Sequence, residues 1–153
     1  MRPKLSDWVH FFAGVGADQW SLAGTITLLE AAPTTERRRH PDVAVSTAKY
    51  LLYRLNRSVY KQRAKKHRAT VASLMILGKN ALGDVTHLHF ALGLPECMDY
   101  TEFEAVVAAT IRSLYWCARE FDLKPYRDCG WLRYVLAHGS ENLILDCCTN
   151  ARS

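Results

Sequence analysis

The chain has 153 residues, 49% of them apolar and 23% charged, which is the size and make-up of one soluble domain. Twenty Lys and Arg stand against fifteen Asp and Glu, a net charge of +5 that suits an anionic partner. No apolar run approaches the roughly 20 residues of a bilayer span, and residues 1–18 lack the basic region, apolar block and cleavage site of a secretory signal. A cytoplasmic protein without a membrane partner is therefore expected, a single domain over residues 1–153 with 1–19 as an N-terminal extension.

In chain order, Trp20 to Leu29 (WSLAGTITLL) alternates Thr25, Ile26, Thr27 and Leu28 and is predicted to be a strand. The next stretch, AAPTTERRRHPD, is a loop by its prolines, threonines and charge. One long helix is predicted over Val43 to Lys66, where Ala48, Leu52, Leu55 and Val59 recur on one face. Arg54, Arg57, Lys61, Lys65 and Arg68 form a second, basic stripe, either a solvated outer face or a set of phosphate contacts. Thr70 to Leu77 and Thr86 to Leu92 read as two strands. The turn GKNALGD between them is short enough for an antiparallel hairpin.

A second helix is predicted from Tyr100 to Cys117, with Phe103, Val107, Thr110, Ile111 and Leu114 inward and Asp99 with Glu102 at capping-box spacing. Phe121 to Tyr126 suits an edge strand because Pro125 cannot donate to a ladder. A short helix over Gly130 to His138 ends at a glycine, and Asn142 to Cys147 reads as a last strand. The order predicts an α+β domain: an antiparallel sheet of the ferredoxin-like type with helices packed mainly on one face. The five cysteines, Cys97, Cys117, Cys129, Cys147 and Cys148, show no CxxC spacing and read as reduced, mostly buried thiols.

Two clusters carry chemistry. His87-Leu88-His89 lies on a predicted strand, where i and i+2 project from one face and hold two imidazoles side by side. Imidazole is the commonest protein metal ligand, although a pair of hydrogen-bonded histidines has the same spacing. In GWLRYVLAHG, Tyr134 and His138 are four apart and share a helix face. A tyrosine there packs into the core or presents a hydroxyl. A histidine there caps the helix or acts on a proton. A metal on the histidine pair would polarise a phosphate oxygen, and a tyrosine hydroxyl can attack phosphorus to form a covalent phosphotyrosine.

These motifs resemble those of the HUH endonuclease superfamily, which includes rolling-circle replication initiators, relaxases and small single-strand transposases. TITL at 25–28 is similar to the first motif strand, THLHFALGLP at 86–95 to the histidine strand, and GWLRYVLAHG at 130–139 to the tyrosine helix. The likeness spans residues 20–146 and is greatest to the replication-initiator branch. It implies a metal-dependent endonuclease and strand transferase acting on single-stranded DNA, or on a DNA hairpin at the origin of a plasmid or phage. Tyr134 would be the nucleophile, and His87, His89 and His138 would ligate Mn²⁺ or Mg²⁺. Arg54, Arg57, Lys61, Lys65 and Arg133 would contact DNA.

The sequence departs from the initiator pattern twice. The strand before the histidines (71–78) has no acid, and Ala137 stands where a Lys is usual. His138, four residues after the tyrosine, occupies the place from which the small transposases supply a third ligand. Asp84 and Asp146 are alternative ligands. A DNA-binding module of the same fold without catalysis is the reading these departures permit; its contacts would include Lys124, Arg127 and the stacking rings of Tyr126 and Trp131. A small single-strand transposase is another. An RNA-binding ferredoxin-like domain is disfavoured, because neither TITLL nor THLHF has the aromatic pattern of such strands. No GxxxxGK[ST] loop is present, so unwinding is expected from a separate helicase.

Overall fold

The computed structural model describes residues 20–30, 42–127, 130–131, 133 and 142–152. Its elements are β1 (Leu22–Leu28), α1 (Val43–Tyr60), α2 (Gln62–Lys66), β2 (Ser73–Lys79), β3 (Val85–Leu92), α3 (Tyr100–Arg112) and β4 (Cys117–Pro125), followed by a 3₁₀ turn over Leu145–Cys147. The four strands form one sheet in the order β2-β3-β1-β4, and every neighbouring pair is antiparallel. This is the split βαββαβ arrangement expected from the order of elements. The N-terminal extension, the loop at 31–41 and most of the helix expected at 130–138 lie outside the described residues.

The two sheet faces differ because side chains alternate along each strand. Leu22, Ile26, Met75, Leu88, Phe90 and Leu92 face α1 and α3, whose stripes of Leu51, Leu55, Phe103, Val107 and Ile111 complete the main core. Gly24 lies under the ring of Phe90, which occupies the space a Cβ would need. On the opposite face Ala72, Leu74, Ile76 and Ala91 form a smaller cluster with Trp20 and Leu143, against which Trp131 and Tyr126 pack. The edge of β2 is covered by the end of the chain through the bridges Ile76↔Leu143, Ser73↔Thr149 and Thr70↔Arg152. The edge of β4 pairs with no other strand among the described residues, and it is bulged and charged, which discourages pairing with another chain.

Four boundaries differ from the sequence reading. The long helix breaks at Lys61, whose φ is 52°. The apolar stripe has no successor at Gln62, Arg63 or Lys66, so a straight continuation would bury nothing, whereas the break lets Ala64, Ala69 and Val71 reach the core. The helix α3 stops at Arg112 rather than Cys117, and Leu114 enters the core through the turn that follows. Consequently β4 begins at Cys117, earlier than expected. The strand expected at 142–147 is a single bridge followed by a 3₁₀ turn, which leaves Leu145 exposed and buries Cys147.

Candidate metal centre on the open sheet face

The central position of β3 fixes His87 and His89. Leu88 and Phe90 are buried on the helix side, so the histidines must point to the other face. That face is sealed by apolar side chains toward the Ala91 end of β3. Toward the hairpin end, His87, His89, Thr25 and Thr27 leave it partly open. The hairpin turn that ends this half is held by Asn80, whose side-chain oxygen accepts from Leu82 N at 3.0 Å and Asp84 N at 2.9 Å.

The two imidazoles stand side by side, ring centroids 6.2 Å apart and planes 14° from parallel. Thr25 is the cross-strand partner of His89, and its Oγ1 lies 3.0 Å from His89 Nδ1. Thr86 Oγ1 lies 2.8 Å from His87 Nδ1. When Nδ1 donates to a hydroxyl, Nε2 carries the lone pair that a metal needs, and such an outer partner is the usual companion of a metal-binding histidine.

On β2 the partners of His89 and His87 are Ile76 and Gly78. Gly78 is a cradle: a Cβ there would lie 2.7 Å from His89 Nε2 and 3.0 Å from His87 Cβ. Only a residue without a side chain lets the His89 ring settle over this strand. Two imidazoles on one face are a partial donor set for a divalent metal that accepts imidazole. One condition is geometric: an ion bound by both rings lies in both ring planes, so the near-parallel rings must turn toward each other. Rotation about χ2 of histidine is soft enough to allow this.

The other expected site residues are distributed as follows. Tyr134 and His138 lie outside the described residues. Trp131, three residues before Tyr134, packs on the histidine face, and Arg133 is exposed. Asp146 pairs with Lys49 of α1 at 3.1 Å, on the helix side, and Asp84 sits in the hairpin turn. Neither completes a group of three metal-ligating side chains with the histidines among the described residues. Arg54 and Arg57 on α1, Lys61 at its end and Lys65 on α2 belong to the helix layer, which covers the sheet face opposite the histidines. Lys124 and Asp122 share the histidine face on β4, with Asp122 across Thr25 from His89 and 3.8 Å from Lys124.

Thr25 and Gly78 are the site residues that sequence reasoning missed. Their signals were present: a hydroxyl residue on the face of TITL opposite the buried Ile26, and a glycine inside a strand, which marks a close approach of another group. Comparison of the chain with protein-family models, curated proteins and solved structures found no match. None of the described helices is long and apolar enough to cross a membrane.

Proposed function

We propose that the chain is a metal-dependent nickase and strand transferase of the HUH kind, acting on single-stranded DNA as a replication initiator of a plasmid or phage. The observation that carries this reading is the His87–His89 pair. It lies on the open half of a central strand, with each Nδ1 at a threonine hydroxyl and a glycine clearing the space beneath one ring. Trp131 on the same face supports it, since the proposed nucleophile follows three residues later.

In this reading His87 and His89 hold the metal, with His138 as third ligand or proton carrier. Mn²⁺ suits an imidazole-rich shell better than Mg²⁺. When bound, the ion supplies Lewis-acid polarisation of a phosphate oxygen. The Tyr134 hydroxyl gives up its proton and attacks phosphorus. The new bond joins the phenol oxygen to the 5′ phosphate; the bond to the 3′ oxygen breaks, and that oxygen takes up a proton. No water is consumed, so the reverse step reseals the strand. Thr25 and Thr86 orient the imidazoles, a positioning role.

Incubation with Mn²⁺ and single-stranded DNA from the gene's own locus tests the proposal. The expected product is a covalent band on a denaturing gel, lost in Tyr134→Phe. A full yield of adduct from that variant overturns the assignment. A second reading, a DNA-binding module without catalysis, is favoured by the absence of a carboxylate at Ile76 or Gly78, the β2 positions beside the histidines. It gives salt-sensitive binding without a covalent band.

A further inference from the structure

The helix layer carries a surface that the proposed reaction does not use. Tyr50 and Tyr53 stand on the solvent side of α1, 49% and 57% exposed, with rings 6.1 Å apart and 17° from parallel. Core packing accounts for neither ring. Arg54 lies against this pair, its guanidinium 5.7 Å from the centre of the Tyr50 ring. One turn further along, Arg57, Lys65 and Arg68 surround an open cavity of about 450 Å³, with Tyr53 on its wall. Among the described residues no carboxylate lines it. Its floor is fixed, because Asn56 donates to Thr70 Oγ1 at 2.9 Å and accepts from Val71 N at 2.9 Å.

Arg68 is shared between two basic cavities. Its φ is 52°, a left-handed conformation that costs a non-glycine residue about 1–2 kcal/mol. Arg68 lines both this cavity and the adjoining one formed with Lys66, His67 and Arg152.

We propose that this surface is a second nucleic-acid site, specific for single strands. Unpaired bases stack on Tyr50 and Tyr53, and a backbone phosphate sits among Arg57, Lys65 and Arg68. Exposed rings select single strands, because duplex bases already stack on one another. The surface lies across the sheet from the histidines, so it works without them, and the proposal does not rest on the nickase reading.

The test is fluorescence anisotropy of the full chain with a labelled oligothymidylate and with a duplex of equal length, over a range of salt. The single strand is expected to bind more tightly than the duplex. Each stacking ring removed by Tyr50→Ala or Tyr53→Ala is expected to weaken single-strand affinity about 5- to 150-fold. Arg57→Gln and Lys65→Gln are each expected to flatten the log–log salt slope by about 0.7. Arg68→Gly, which keeps the backbone conformation at no steric cost, is expected to weaken binding without lowering Tm. Equal affinity for duplex and single strand, or unchanged binding by the tyrosine variants, overturns the proposal.

Discussion

Replacing Gly78 by alanine separates the geometry of the histidine pair from the stability of the fold. The added Cβ would meet His89 Nε2 at 2.7 Å and His87 Cβ at 3.0 Å, well inside normal contact. If nothing moved, overpacking would cost about 1–3 kcal/mol. The His89 ring is half-buried, so it turns away instead and gives up its hydrogen bond to Thr25 Oγ1. That loss is about 0.5–1.5 kcal/mol. The alanine returns about 0.5–1 kcal/mol by restricting the unfolded chain. The net change is a destabilisation of at most about 1 kcal/mol, a fall in Tm of no more than about 2–4 °C for a chain of this length. Metal affinity should nevertheless drop about 10- to 100-fold, the usual penalty for a misoriented ligand. Thermal unfolding and calorimetric titration with Mn²⁺ read the two effects separately. Unchanged Mn²⁺ affinity with unchanged histidine ring resonances would refute the reasoning.

Other expectations concern the frame that holds this site. Asn56→Leu should cost about 1–3 kcal/mol in urea unfolding, because it strands the buried Val71 N–H that now donates to Asn56 Oδ1. Asp99→Ala removes the side-chain acceptor of a complete capping box on α3 and should cost about 0.5–2 kcal/mol by the same assay. Burial pushes the Cys117 and Cys147 thiols up to about 11. The folded chain therefore holds these protons more tightly than the unfolded chain, and the associated stability, complete below about pH 9, should be lost as pH rises toward 11; Cys→Ser variants should flatten that slope. At neutral pH, iodoacetamide should label the exposed Cys97 well before Cys117 or Cys147, as read by peptide mapping.

Much of this architecture was legible because the local signals agreed with the global pattern. The alternation of Thr25 to Leu28 and the His-Leu-His register each assign a face, and the buried Leu88 leaves the histidines only one side to occupy. The capping box at Asp99 set the start of α3 to the residue. Boundaries failed where tertiary packing decided. No Gly or Pro announces the break at Lys61, which follows from the burial of Ala64, Ala69 and Val71. NLILDC has the composition of a strand, but Leu143 and Ile144 already straddle the edge of β2. The chain then turns to bury Cys147, while Asp146 pairs with Lys49. The basic stripe was visible as periodic charge. Its separation from the histidines was not, because only the packing of α1 on the opposite sheet face places it there. Thr25 was read as a strand residue and Gly78 as part of a strand without acid; their common purpose at His89 needs the pairing register.

The most direct measurement of the central claim is paramagnetic broadening of the six histidine ring signals as Mn²⁺ is added below one equivalent. A metal centre on the open face requires His87 and His89 to disappear first and together, with His138 following them and His67, at the end of α2, persisting. Broadening that spares His87 and His89, or that begins at His67, would contradict a metal centre on the open face and with it the proposed strand transfer.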